Sequence, residues 1–269
     1  MKILHARDEN TGLVVENAFV AVEGHDVTLG RCAVKAHIFP ELLPERPHIV
    51  DIEVSGEEHA LDALYGAGTA RARWIASNAG MNAEIRTECD DALRERLKAL
   101  GYRGDDALVR MRRTHRSGPV IKRLPDRCTI VFDTLDDELE ARYFVKRYNA
   151  LFATDDGMTR LKALREKPGF SRTVMVAPEG LAGEMLAWAE DNDGVIGYLY
   201  TAPTFRRRGV ADYLLDLARK YFLDAGILTS RMDVWERLYA AYGAASNAGF
   251  RPAEALKRYA AIDIDREEI

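Results

Sequence analysis

Apolar and polar positions along the second half of the chain switch repeatedly between two periods. Cys128 to Phe132 is a short, β-branched apolar run that predicts a strand. From Asp136 to Arg165 apolar residues recur at helical spacing (Leu139, Phe144, Tyr148, Leu151, then Leu161 and Leu164), broken near Asp156-Gly157, which predicts two helices. Arg172–Ala177, Glu184–Ala189 and Val195–Thr201 read as three successive strands. A helix then opens near Gly209-Val210-Ala211-Asp212, carries Leu214, Leu217, Tyr221 and Ala225 on one face, and stops at Gly226. Ile227–Val234 predicts another strand, Trp235–Ala248 a helix ending at Gly249-Phe250, and Leu256–Ile264 a last strand.

The first half repeats the later part of that order. Asp51–Ser55 predicts a strand, Glu57–Ala79 a helix stopped by Gly80, Ala83–Thr87 a strand, Asp91–Leu100 a helix stopped by Gly101-Tyr102, and Ala107–Met111 a strand. Gly80 and Gly226 lie 146 residues apart, and Gly101 and Gly249 lie 148 apart, so two landmarks keep nearly one offset, as a duplication would leave them. At that offset the initial strand and helices of the first copy fall before Met1, and that copy is expected to be truncated. Between the halves, Arg112–Asp126 carries two prolines and a Ser-Gly-Pro turn among basic residues and is read as a connector. The expected domains are 1–114 and 124–269.

Composition narrows the classes without choosing among them. The 269 residues are 47% hydrophobic and 30% charged, with 38 basic and 43 acidic side chains and a net charge of −5, which excludes a disordered chain. A sequence pI of about 5.8 speaks against nucleic acid as a partner. Cys32, Cys89 and Cys128 are widely spaced, so neither a disulfide framework nor a metal site is expected. Met1-Lys2-Ile3-Leu4-His5 runs into polar sequence without a signal-peptide pattern, and no apolar run reaches membrane-span length. The expectation is a soluble cytoplasmic protein with no membrane partner, for which a homodimer is allowed.

The stretch that carries chemistry is Val195-Ile-Gly-Tyr-Leu-Tyr-Thr-Ala-Pro-Thr-Phe-Arg-Arg-Arg-Gly-Val-Ala-Asp-Tyr-Leu-Leu. A strand ends, Pro203 prevents its continuation, and a short Arg/Gly turn leads into a helix. Such a turn aims free backbone N–H groups at one spot with the positive end of the helix dipole behind them, which suits a pyrophosphate. Gly209 and the small Ala211 let phosphates approach the main chain. Arg206-x-x-Gly209-x-Ala211, preceded by Thr201-x-Pro203-x-Phe205, resembles the Gln/Arg-x-x-Gly-x-Gly/Ala loop of the GNAT superfamily of acyl-CoA-dependent N-acyltransferases. The order of elements from Cys128 to Ile264 is similar to the whole family fold.

The resemblance implies an α+β fold (α/β/α layers about a mixed central sheet) in two copies, the first degenerate. It implies acetyl-CoA as cosubstrate, lying between the splayed ends of the strands at Val195–Thr201 and Ile227–Val234. Backbone groups of Leu199, Tyr200 and Thr201 would hold the acyl carbonyl and pantetheine arm. Main-chain N–H groups of Arg207, Arg208, Gly209, Val210 and Ala211, entered through Arg206, would cradle the pyrophosphate. An amine of a small molecule or peptide would attack the thioester directly, which requires a proton acceptor, a polarised carbonyl and a proton for the departing thiolate.

The proton-transfer residues are less legible. The family commonly has a tyrosine four residues before Gly-Phe; here that position is Ala245, and the asparagine often found near the start of this helix is replaced by Leu238. Tyr242 is the candidate acid, although Trp235, Leu238 and Tyr242 also follow a core-facing rhythm. All six histidines (His5, His25, His37, His48, His59, His115) precede the second domain, so the base is sought among Glu184, Glu190, Asp233 and Glu236, with Glu190 carried as the candidate. In the first copy the equivalent of the Arg/Gly loop is Ala60–Tyr65, with no basic residue and no glycine. Two rival readings remain: a non-catalytic acyl-CoA-binding or interaction protein, motivated by Ala245, and a nucleotide- or phosphate-binding module using the same turn.

Overall fold

The computed structural model describes residues 1–6, 15–24, 27–115 and 122–266. His25 and positions 116–121 of the expected connector lie outside the described residues. In chain order the elements are strands β1 (Lys2–His5), β2 (Ala18–Glu23), β3 (Val27–Ile38) and β4 (His48–Gly56), helix α1 (Glu58–Asn78), β5 (Ala83–Glu88), α2 (Asp91–Leu97) and β6 (Gly104–Thr114). They continue with β7 (Thr129–Asp133), α3 (Glu138–Phe152), α4 (Gly157–Arg165), β8 (Ser171–Ala177), β9 (Gly180–Glu190), β10 (Asp193–Thr201), α5 (Val210–Asp224), β11 (Thr229–Trp235), α6 (Tyr239–Asn247) and β12 (Arg251–Ile264).

The chain packs as two units, Met1–Ala107 with Lys257–Ile269 and Leu108–Leu256. This division differs from the expected one at 1–114 and 124–269, and strand pairing is the reason. Leu108–Thr114 pairs antiparallel with β11 in the second unit, and Tyr259–Ile264 pairs antiparallel with β5 in the first. Each sheet is therefore completed by a strand that follows, in sequence, the last helix of the other half. Arg112–Thr114, expected in a connector, are the end of β6.

In the first unit β1, β2, β3 and β4 form an antiparallel meander, and β4 is joined through α1 to β5, with which it runs parallel from His48↔Ala83 to Asp51↔Arg86. Strands β1 to β3 lie ahead of the predicted Asp51–Ser55 strand, and among the described residues no counterpart of α3 and α4 stands between β1 and β2. The constant offset fails because 12 residues separate β1 from β2, against 37 between β7 and β8, where α3 and α4 are inserted. The core is the buried face of α1 (Ala60, Leu64, Tyr65, Ala72, Ala76) with sheet residues such as Val34, Val50, Ile52 and Ile85.

In the second unit β7 to β10 form the antiparallel series, α5 crosses over, and β11 lies parallel to β10. Helix α5 buries Leu214, Leu215, Ala218 and Phe222, while Lys220 and Asp224 stay in water. It stops where Gly226, at φ 76°, donates to the Leu223 carbonyl and Ile227 donates to that of Phe222. Helix α3 starts at Asp137, whose carboxylate accepts from the Glu140 N–H, and buries Ala141, Phe144, Tyr148 and Leu151. Helix α6 is shorter than the predicted 235–248, because Trp235 is still paired with Leu108 and residues 236–238 turn before the helix begins.

Candidate functional site

The geometry that matters lies where β10 and β11 part. They share parallel ladder pairs only at Gly194↔Ser230 and Val195↔Arg231, and among the described residues their pairing stops there. Both strands continue, β10 against β9 as far as Thr201↔Gly183 and β11 against β6 as far as Trp235↔Leu108. The sheet is therefore open between two strands that are each held firmly on the other side. A bulge at Gly197 bends β10 at the opening, because Ile196 faces Ala187 and Tyr198 faces Leu186, one residue out of step. Only glycine fits there, since a Cβ would lie 1.9 Å from the Trp188 ring.

The register divides the predicted strand residues between two faces. Leu199 and Thr201 lie opposite Met185 and Gly183, on the face that receives α5. Tyr198 and Tyr200 share the other face with Glu184, beneath α3, and their rings stack at 6.4 Å. Leu199, Tyr200 and Thr201 are all half-buried.

From Thr201 the chain makes a single turn at Pro203–Phe205 and reaches the loop. Arg206 is extended, Arg207 takes φ 61°, and Gly209 caps α5 at φ 80° in the left-handed region that favours glycine. Gly209 brings no capping side chain, so no side chain caps the N–H groups of the first turn of α5, which begins with Val210 and Ala211. Arg207, Arg208 and Gly209 are exposed, Arg206 and Ala211 half-buried, and a Cβ at Gly209 would meet nothing within 4 Å. The Arg208 guanidinium lies over the Phe205 ring at 5.3 Å, which holds one of the three arginines beside the turn. An open, cationic, donor-rich turn at the mouth of a parted sheet fits a pyrophosphate-bearing ligand.

Residues 132–250 match the model of the acetyltransferase (GNAT) family. The chain carries a GNAT domain. Its α+β layers and mixed sheet are those of the GNAT fold, and the family is one of acyl-CoA-dependent N-acyltransferases. No curated protein matches the sequence. Among solved structures, the GCN5-related N-acetyltransferase of Sphaerobacter thermophilus is similar at 16% identity, over 95% of this chain and 83% of that one, with a TM-score of 0.49. A tandem GNAT protein from the clavulanic acid biosynthesis pathway is similar at 13% identity, over 93% and 82%, with a TM-score of 0.45. An aminoglycoside N-acetyltransferase in complex with CoA is similar at 13% identity, over 48% of this chain and 91% of that one, with a TM-score of 0.41.

The proton-transfer candidates do not all lie at the opening of the GNAT domain. Glu190 is at the far end of β9, level with Asp193. At the rise of a strand this is roughly 25 Å from Thr201. Its carboxylate accepts from Lys167 at 2.6 Å and from Arg231, and the Lys167 bond, helped by both positive charges, holds it below the usual carboxylate range. Glu190 thus sits in an ion-pair cluster with Lys167 and Arg231, away from the Thr201 end of β10. Asp233 is bound by both Arg110 nitrogens at 2.9 and 3.0 Å, and Glu236 is exposed in the turn after β11. Tyr242 is half-buried on α6, the helix that follows β11. Ala245 is 0% exposed, so the position where the family commonly has tyrosine is part of the core here.

Glu184 belongs to a network whose other members the sequence did not single out. It is 0% exposed and accepts from Arg147 Nε at 2.7 Å, Arg172 Nε at 3.0 Å and the Tyr198 hydroxyl at 3.1 Å. Arg172 also reaches Asp133 and Glu140 at 3.2 and 3.4 Å. Burial, and then the Glu184 charge, push the Tyr198 phenol far above its ordinary value. Two guanidinium groups and the phenol surround Glu184, and the cluster ties α3 to β8, β9 and β10. The available signal is a lone charged residue, Arg172, at the start of a strand whose remaining residues are uncharged.

Proposed function

We propose that the GNAT domain transfers an acetyl group from acetyl-CoA to an amine of a small molecule or peptide. The observation that carries the proposal is the parting of β10 and β11 just ahead of the Arg206–Ala211 turn, an opening and a phosphate cradle on consecutive elements. Backbone groups of Leu199, Tyr200 and Thr201 have lost a parallel neighbour beyond Val195 and are the groups that would pair with an extended pantetheine arm. Main-chain N–H groups of Arg207 to Ala211 would hold the pyrophosphate. The amine nitrogen bonds to the carbonyl carbon, the C–S bond breaks, and the thiolate leaves with a proton supplied by Tyr242 or by water. A carboxylate acting through water would take the amine proton.

The test is binding and turnover of the full chain. Acetyl-CoA, and not ATP, should raise the melting temperature, and an amine panel should release free thiol. Arg208→Glu with Gly209→Glu should abolish acetyl-CoA binding; unchanged binding would show that the loop is not the cofactor site. The buried Ala245 favours one second reading, an acyl-CoA-binding protein without turnover, for which ligand stabilisation would persist with no thiol released from any amine. The first unit, with the same strand order and no basic loop, is proposed as a degenerate second copy of the fold.

A further inference from the structure

Where the chain re-enters the described residues after the connector, it lies against the cofactor helix. The backbone N–H of Lys122 donates to Asp216 Oδ2 at 2.8 Å. Asp216 is a buried carboxylate whose other oxygen accepts from Arg219 Nε at 2.7 Å. A buried acid paired in this way is a fixed anchor, and it sets the position of Lys122 beside the second turn of α5. From there the side chain runs back toward the start of the helix, and its Nζ lies 3.3 Å from Asp212 Oδ2 in the first turn. That ammonium therefore stands beside the first turn of α5, the turn that Gly209 opens without a side-chain cap. Its side chain is 46% exposed, and among the described residues its one carboxylate contact, with Asp212, leaves two of its three N–H directions for another acceptor.

We infer that Lys122, at the end of the connector, is an additional phosphate-binding residue of the acyl-CoA site, completing a cationic rim with Arg206, Arg207 and Arg208. The inference rests on the acyl-CoA reading of the loop and extends it to a residue outside the family's loop pattern. A lysine serves here as a point charge, adding attraction without the bidentate geometry an arginine would impose.

The experiment is calorimetric titration of the full chain with acetyl-CoA across a range of salt concentrations, comparing wild type with Lys122→Ala and Lys122→Arg. Lys122→Ala keeps the backbone N–H that Asp216 holds, so the unliganded variant should melt like wild type. Its acetyl-CoA dissociation constant should rise about tenfold, the size expected for one charge-assisted phosphate contact. The salt dependence of binding should become shallower, and Lys122→Arg should restore most of the affinity. If Lys122→Ala binds like wild type while Arg208→Glu with Gly209→Glu abolishes binding, the inference fails and the loop assignment stands. If the wild type does not bind acetyl-CoA, both fail.

Discussion

His115, at the end of β6, gives the second unit a calculable acid sensitivity. Its ring is 5% exposed, stacks on Phe222 at a centroid distance of 6.0 Å, and among the described residues neither ring nitrogen has a hydrogen-bond partner. Burial, with the charges of Arg113 and Arg219 nearby, lowers its pKa from 6.5 to about 4. As pH falls below 6.5 the unfolded chain takes up a proton that the folded chain refuses until about pH 4. Stability from this residue is complete above pH 6.5 and is lost between 6.5 and 4, with no further loss below. At 1.36 kcal/mol per unit, the shift corresponds to about 3 kcal/mol. His115→Phe keeps the ring stack and removes the titration. Urea unfolding of wild type and variant from pH 8 to pH 4 should show the variant gaining about 3 kcal/mol relative to wild type across that window. Parallel pH profiles would refute the argument, because they would mean that the folded protein protonates His115 as readily as the unfolded chain.

Two further substitutions test the frame of the site. Gly197→Ala must displace the Trp188 ring and should cost about 2 kcal/mol or more in denaturant unfolding, with Trp188→Leu in the same chain recovering part of that loss. Arg172→Met removes one of the two guanidinium groups that compensate the fully buried Glu184 and should cost about 3–5 kcal/mol. A loss below about 1 kcal/mol would mean that Arg147 and Tyr198 satisfy the carboxylate by themselves.

What could be read from the sequence was whatever leaves a local period. Strands β8 to β10 are apolar over consecutive residues, and α5 has leucines on one face and a glycine stop, so their limits lie within a few residues of the predicted ones. Strand β3 was missed because Arg31, Lys35 and His37 interrupt its apolar residues on the open face. The start of β12 was missed for a related reason, since residues 251–255 are exposed and do not alternate. The Arg206–Ala211 turn was legible because glycine and proline mark a turn locally. The place of Glu190, level with Asp193 and paired with Lys167 and Arg231, is not local: sequence shows that an acid ends a strand, but not which end of the neighbouring strand it meets. The pairing of β6 with β11 and of β12 with β5 joins residues more than a hundred positions apart, and no local pattern encodes it.

That same pairing sharpens the contrast between the units. Strand, helix, parallel strand, helix, strand recur as β4-α1-β5-α2-β6 and β10-α5-β11-α6-β12, yet the first connection differs. Eight residues separate β10 from α5, and they contain the three arginines and Gly209; a single residue, Glu57, separates β4 from α1. Glu57 is extended and Glu58 occupies the first turn, so two acids and no arginine stand at this helix end, whereas at α5 three arginines precede the first-turn acid Asp212. Just past the last β4–β5 ladder pair, Asp51↔Arg86, the Thr87 hydroxyl donates to the Ile52 carbonyl at 2.7 Å and ties together the strands that part in the second unit. A polyanion approaching α1 would meet two glutamates and a bridged pair of strands; at α5 it would meet three arginines, parted strands and an acid, Asp212, that Lys122 pairs.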